Sequence, residues 1–73
     1  MKTIPVNMGV RYRIDYTNYE GKRQVREITP IQFFWGSNIY HREPQMLLNA
    51  TCHEKEALRT FAVLSIHDMV PVI

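Results

Sequence analysis

Seventy-three residues with a single cysteine make one small domain that cannot form an internal disulfide. Chains of this size bury only roughly 60% of the surface they expose when unfolded, so a lone core is marginal and self-association is expected. Nine basic against seven acidic residues leave a net charge of +2, too small for bulk electrostatics to announce a nucleic-acid binder. The unpaired Cys52 fits a reducing compartment, the cytoplasm, where the Asn49-Ala50-Thr51 sequon is incidental. No apolar run reaches the roughly 20 residues of a membrane span, and Met1-Lys2-Thr3-Ile4-Pro5 lacks a signal-peptide core, so no membrane partner is expected.

In chain order, Ile4, Val6 and Met8 alternate with Thr3, Pro5 and Asn7, which predicts an extended arm over 1–9 that bends at Gly9. From Val10 the alternation is clean: Val10, Tyr12, Ile14 and Tyr16 against Arg11, Arg13 and Asp15, a half-buried antiparallel strand. Asn18-Tyr19-Glu20-Gly21 supplies a hairpin turn with Gly21 free to take a positive φ. The returning strand runs from Lys22 to Thr29 and is expected to close at Pro30, which cannot donate to a ladder. On it Gln24, Arg26 and Ile28 share one face, so a long charged side chain carries the same parity as a core residue. An inward arginine is costly unless something anionic or polar meets it. The cluster of Arg11, Arg13, Lys22, Arg23 and Arg26 reads first as the charged outer face of a solvated hairpin.

Ile31 to Trp35 is a third, aromatic-rich strand. Gly36 to Pro44 is a loop, and loops carry function more often than scaffolds do. Gln45 to Thr51 is a buried strand, with Met46, Leu48 and Ala50 on one face and Leu47 on the other. The segment after Cys52 is open to two readings. Leu58, Phe61, Ala62, Ser65 and Met69 fit helical spacing, while Arg59, Phe61 and Val63 against Thr60, Ala62 and Leu64 make a buried strand. The end of the chain, 69–73, is an apolar tail that should dock on the domain or on a neighbour. Several short strands at close spacing predict an all-β fold, a small five-stranded barrel of the Sm-like or SH3-like kind over 10–68, with a short C-terminal helical turn or tail.

The order Ile14-x-Tyr16, Asn18-Tyr19-Glu20-Gly21, Arg26-x-Ile28-x-Pro30, Met46-Leu47-Leu48 followed by Ala50, and Arg59-x-Phe61 resembles the WYL domain over roughly residues 10–67. It most resembles short free-standing versions in which Pro-Gln precedes the name triplet, as Pro44-Gln45 does here. The resemblance implies an Sm-like β-barrel module of the kind attached to helix-turn-helix transcriptional regulators and to proteins of phage defence, implicated in binding nucleic acid or nucleotide ligands. It also implies that Arg59 to Val63 is a strand. The triplet Trp-Tyr-Leu is Met46-Leu47-Leu48 here, so the tyrosine that often faces ligand in the family is Leu47. Stacking would then fall to Trp35, Tyr40 and His41, with Gln45 beside the loop. No helix-turn-helix precedes the strands, which argues against sequence-specific reading of duplex DNA by this chain.

Arg26 shares parity with Ile28, and Arg59 with Phe61 and Val63. Both arginines match positions where WYL domains carry basic residues. Two guanidiniums at one barrel mouth form a planar, always-charged fork suited to phosphate. The structural alternative is that Arg26 and Arg59 pair with Glu27, Glu54 or Glu56 and brace the fold. His41, His53, His67 and Cys52 show no metal-ligand spacing, and Cys52 and His53 would diverge on a strand, so neither a metal, a cofactor nor a catalytic pair is expected. The reading is a non-enzymatic ligand-binding module for single-stranded nucleic acid or a nucleotide-type phosphate, cyclic nucleotides included. It would act as a sensor, regulator or sequestering protein with Arg26, Arg59, His41, Tyr40, Trp35 and Gln45 at its site. The apolar ends make a homo-oligomeric assembly module the alternative.

Overall fold

The computed structural model describes residues 6–72. It is all-β apart from one short turn: β1 (Tyr12–Thr17), β2 (Arg23–Gly36), β3 (Gln45–Cys52), β4 (Ala57–Ala62), a single 3-10 turn (Val63–Ser65) and β5 (Ile66–Pro71). The strands form one open antiparallel sheet in the order β4-β3-β2-β1-β5. The five-stranded all-β expectation therefore holds, but a closed barrel is not seen, because β4 and β5 are the two edges of the sheet.

β1 forms as its alternation dictates, burying Tyr12, Ile14 and Tyr16 while Arg11 and Arg13 stay exposed. The turn after it is held by Asn18, whose Oδ1 accepts the backbone N–H groups of Glu20 and Lys22 at 2.9 Å each, and Gly21 takes φ +83°. That is the side-chain turn chemistry for which asparagine and glycine are suited. Buried hydroxyls are satisfied locally. The Asn7 N–H donates to the Tyr12 hydroxyl at 2.8 Å, and the Tyr16 hydroxyl donates to Gln24 Oε1 at 3.3 Å.

Three expectations need correction. The two strands placed on either side of Pro30 are one fourteen-residue strand, β2, which passes through the proline at a bulge. Pro30 pairs with Ala50 and Gln32 with Asn49, leaving Ile31 as the extra residue. A bulge is where a sheet tolerates a residue without an N–H. The Pro30 carbonyl still accepts the Gly9 N–H at 3.2 Å, which ties the chain before β1 to the middle of β2. The bulge also flips parity, so Phe33 and Trp35, opposite Leu48 and Met46, share the face of Ile28.

Secondly, the strand reading of the segment after Cys52 holds, as β4, but the short helical turn is not where it is expected. Cys52 pairs with Ala57 and Leu48 with Phe61 in a hairpin whose last loop residue, Glu56, has φ +52°. The one helical turn precedes the last strand rather than ending the chain. Thirdly, Met69 to Pro71, expected within a tail, form the second half of β5. That strand pairs with β1, and it buries Met69 in the core. Of the predicted arm, residues 1–5 lie outside the described residues, and Val6 packs on the core.

The core is a single cluster of Tyr12, Ile14, Tyr16, Ile28, Leu48, Ala50, Cys52, Phe61 and Met69, drawn from all five strands. Tyr16 on β1 and Phe61 on β4 meet edge-to-face with ring centroids 5.1 Å apart, although β2 and β3 lie between them in the sheet. Three strand spacings of roughly 4.8 Å would hold those rings about 14 Å apart on a flat sheet. The sheet is therefore curled around this cluster, and residues on its inner face converge.

Candidate functional site: a cationic cleft on the inner face

Arg26 lies opposite Ile14 in the β1–β2 ladder, two residues before the fully buried Ile28, so its side chain does share the core face. That side chain is 17% exposed. Its Nη1 donates to the Val25 carbonyl at 2.9 Å and lies 3.0 Å from the carboxylate of Glu54, just past the end of β3. A guanidinium carries five N–H donors. Nε and Nη2 of Arg26 have no protein partner among the described residues.

Arg59 arrives from the other side of the sheet. In β4 it sits opposite Ala50, on the face of the core residue Phe61. Among the described residues neither Arg59 nor Lys55 makes a salt bridge. Curling of the sheet brings Arg26, Lys55 and Arg59 to one cleft of about 200 Å³, floored by Tyr16, Gln24, Cys52 and Phe61. Three cations from β2, the β3–β4 loop and β4 thus converge on a cleft that one carboxylate, Glu20, also lines, while Glu54 pairs with Arg26 from outside that lining.

A second recess of about 430 Å³ adjoins the first and shares Tyr19 and Arg59 with it. Asn38, Tyr40, His41, Leu58 and Thr60 complete its lining. Asn38 repeats the device of Asn18: its Oδ1 accepts the N–H groups of Tyr40 at 2.9 Å and His41 at 2.7 Å, which folds the loop between β2 and β3 into a compact turn. The two asparagine turns present Tyr19 and Tyr40 to each other, with ring centroids 4.7 Å apart and planes tilted by 44°.

Of the residues singled out by sequence, Arg26, Arg59, Tyr40 and His41 are thereby brought around one groove. Trp35 and Gln45 are not. Trp35, 69% exposed, stands opposite Met46 at the far end of the β2–β3 hairpin. Gln45 lies opposite Gly36, and its Nε2 donates to the Glu43 carbonyl at 3.2 Å. The sequence reading passed over Lys55, Tyr19, Gln24 and Leu58. Lys55 stood in a polar stretch with no periodicity, and Tyr19 looked like a turn residue.

The other face carries a different electrostatic pattern. Arg11 and Arg13 share the Glu27 carboxylate at 2.8 and 3.8 Å, and Arg23 grips Asp15 through two contacts of 2.9 Å. The hydrogen bonds from Arg23 hold the Asp15 carboxyl below its ordinary value. These pairs spend the basic charge of the β1–β2 hairpin on its own carboxylates. Of the described cations without a salt bridge, Lys55 and Arg59 line the inner-face groove, whereas Lys22 and Arg42 do not. The histidines are dispersed: His53 bonds Thr29 and His67 bonds Thr17, each at 2.7 Å, while His41 lines the groove. Among the described residues no group of three or more histidine, cysteine, aspartate or glutamate side chains is placed to hold a metal ion.

The chain is thus a small one-sheet all-β domain with a cationic cleft on its inner face. The family model of the WYL domain matches residues 6–71, and the chain belongs to the WYL-domain family. No curated protein and no solved structure matches it. Leu47, the middle residue of the Met46-Leu47-Leu48 triplet, is fully buried between Phe34 and Ala62 in the ladders, on the face opposite Leu48. It lines neither recess of the groove.

Proposed function

We propose that this WYL domain binds single-stranded nucleic acid or a nucleotide-type phosphate ligand in the groove between Arg26 and Arg59, as a non-catalytic sensor, regulator or sequestering protein of the cytoplasm. The observation that carries the reading is the convergence of Arg26 on β2 with Lys55 and Arg59 of the later β3–β4 hairpin on one cleft beside two exposed tyrosines. The generally regulatory, nucleic-acid- or ligand-sensing character of the family supports it. We further propose that the curl closes into the Sm-like barrel of the family, with β4 and β5 meeting across the one-turn connection Val63–Ser65 that joins them.

Guanidinium forks grip phosphate through charge-assisted hydrogen bonds, each of which contributes about 1.5–3 kcal/mol. Titrating the protein with short single-stranded oligonucleotides and with cyclic nucleotides should therefore show saturable binding that weakens with salt. Arg59→Ala should lower the affinity roughly tenfold or more. No binding by the parent across both ligand sets, or unchanged affinity in the variant, sinks this reading.

The open edges of the sheet favour assembly as a second reading. Beside those edges, Leu58 and Leu64 are 71% and 82% exposed. An unpaired strand edge is a template for pairing with another chain. Sedimentation velocity at low micromolar concentration is expected to show a homo-oligomer, and a monomer across the concentration range would retire it.

A further inference from the structure

The groove is larger than a phosphate site needs. Its smaller compartment holds the cations Arg26, Lys55 and Arg59 against one carboxylate, Glu20. The larger one, about 430 Å³, has Arg59 as the one arginine or lysine in its lining, and otherwise presents Tyr19, Tyr40, His41, Leu58, Asn38 and Thr60. The two meet at Arg59 and Tyr19. From this division we infer that the site is bipartite and takes one nucleoside phosphate unit, its base against the Tyr40 and Leu58 side and its phosphate at Arg59 and Lys55. The inference rests on the anion-binding reading above and assigns the half of the groove which that reading leaves unexplained.

The aromatic wall is suited to a flat, apolar ring. Tyr19 and Tyr40 are both more than half exposed although they touch each other, so each keeps ring surface open to solvent. Both stand on turns whose backbone is held by an asparagine side chain, so little backbone freedom remains to be lost when a base lies against them. Leu58, 71% exposed on the edge strand β4 and on the face opposite Arg59, adds apolar surface where the recess passes that edge, surface that a free anion would leave wet. Polar readers are present too. Asn38 spends its Oδ1 on two backbone N–H groups, and its Nδ2 has no protein partner among the described residues, so it can donate to an acceptor on a base edge. The Thr60 hydroxyl donates to Asn49 Oδ1 at 2.7 Å and keeps its acceptor capacity.

The same unit could come from a free nucleotide or from one residue of a single strand. Amide chemical-shift titrations separate these sources with four probes: inorganic phosphate, adenosine, adenosine 5′-monophosphate and an eight-residue single-stranded oligonucleotide. Stacking on an aromatic side chain corresponds to about a tenfold gain in affinity per base. The nucleotide should thus bind at least about tenfold more tightly than phosphate or adenosine alone. Tyr40→Ala, in an exposed loop, should remove about tenfold from the nucleotide affinity and leave phosphate binding unchanged, whereas Arg59→Gln should weaken both.

An oligonucleotide that binds more tightly than the nucleotide, with the same dependence on Tyr40, assigns the unit to a single strand. A nucleotide that binds as tightly or more so assigns it to a free ligand. Either supports the bipartite site. Equal affinities for nucleotide and phosphate, or a Tyr40→Ala variant that binds nucleotide as the parent does, overturns the bipartite site while anion binding stands. Failure of phosphate, nucleotide and oligonucleotide alike overturns both.

Discussion

Ile28→Ala is expected to destabilise the domain by about 2–5 kcal/mol, the range for truncating a fully buried aliphatic side chain to alanine. Ile28 is completely buried and lies in the cross-strand row between Tyr12 on β1 and Cys52 on β3. It stands in the middle of the curl, so both halves of the sheet lose a packing partner. A 73-residue domain has only about 4–11 kcal/mol of stability in all. The variant should therefore be partly unfolded near room temperature or melt at least about 10 °C below the parent. Thermal denaturation followed by far-ultraviolet circular dichroism measures this. A loss under about 1 kcal/mol would mean that the inner face is not closed over Ile28, and the convergence of Arg26 with Arg59 would fall with it.

The inner-face position of both arginines was legible because strand parity is a local property. Arg26 two residues from Ile28, and Arg59 two residues from Phe61, had to share their faces once those segments were strands. The bulge was not legible. Ile31-Gln32-Phe33-Phe34-Trp35 is apolar on both parities, so one inserted residue leaves no mark in the pattern. β5 was missed for a different reason: Ile66-His67-Asp68-Met69-Val70-Pro71 has weak alternation and ends on proline. It becomes a strand by pairing with β1 more than fifty residues earlier, with its own irregularity opposite Asp15 and Tyr16. The groove's second half was hidden more deeply. Tyr19 and Tyr40 sit in separate turns, and only the curl of the sheet brings them into contact.

Arg26→Met should separate stability from function by moving them in opposite directions. Methionine keeps an unbranched apolar stem at a position 17% exposed and removes a charge from the core face. Replacing a paired, partly buried charge with an apolar residue of similar length is often neutral or stabilising. The partner left behind, Glu54, has a side chain 57% exposed and so rehydrates at little cost. The fold should therefore gain up to about 1 kcal/mol, read as a higher urea midpoint with an unchanged slope. Affinity for the phosphate-bearing ligand should fall roughly tenfold or more, because the free Nε and Nη2 donors are gone. A bracing role predicts the reverse sign: if Arg26 holds the sheet together through Glu54 and the Val25 carbonyl, Arg26→Met loses more than about 1 kcal/mol and ligand affinity follows only through unfolding. The sign of the stability change therefore separates the two roles of Arg26. A costly arginine on a core face that makes the domain less stable than its methionine variant is one retained for what it binds.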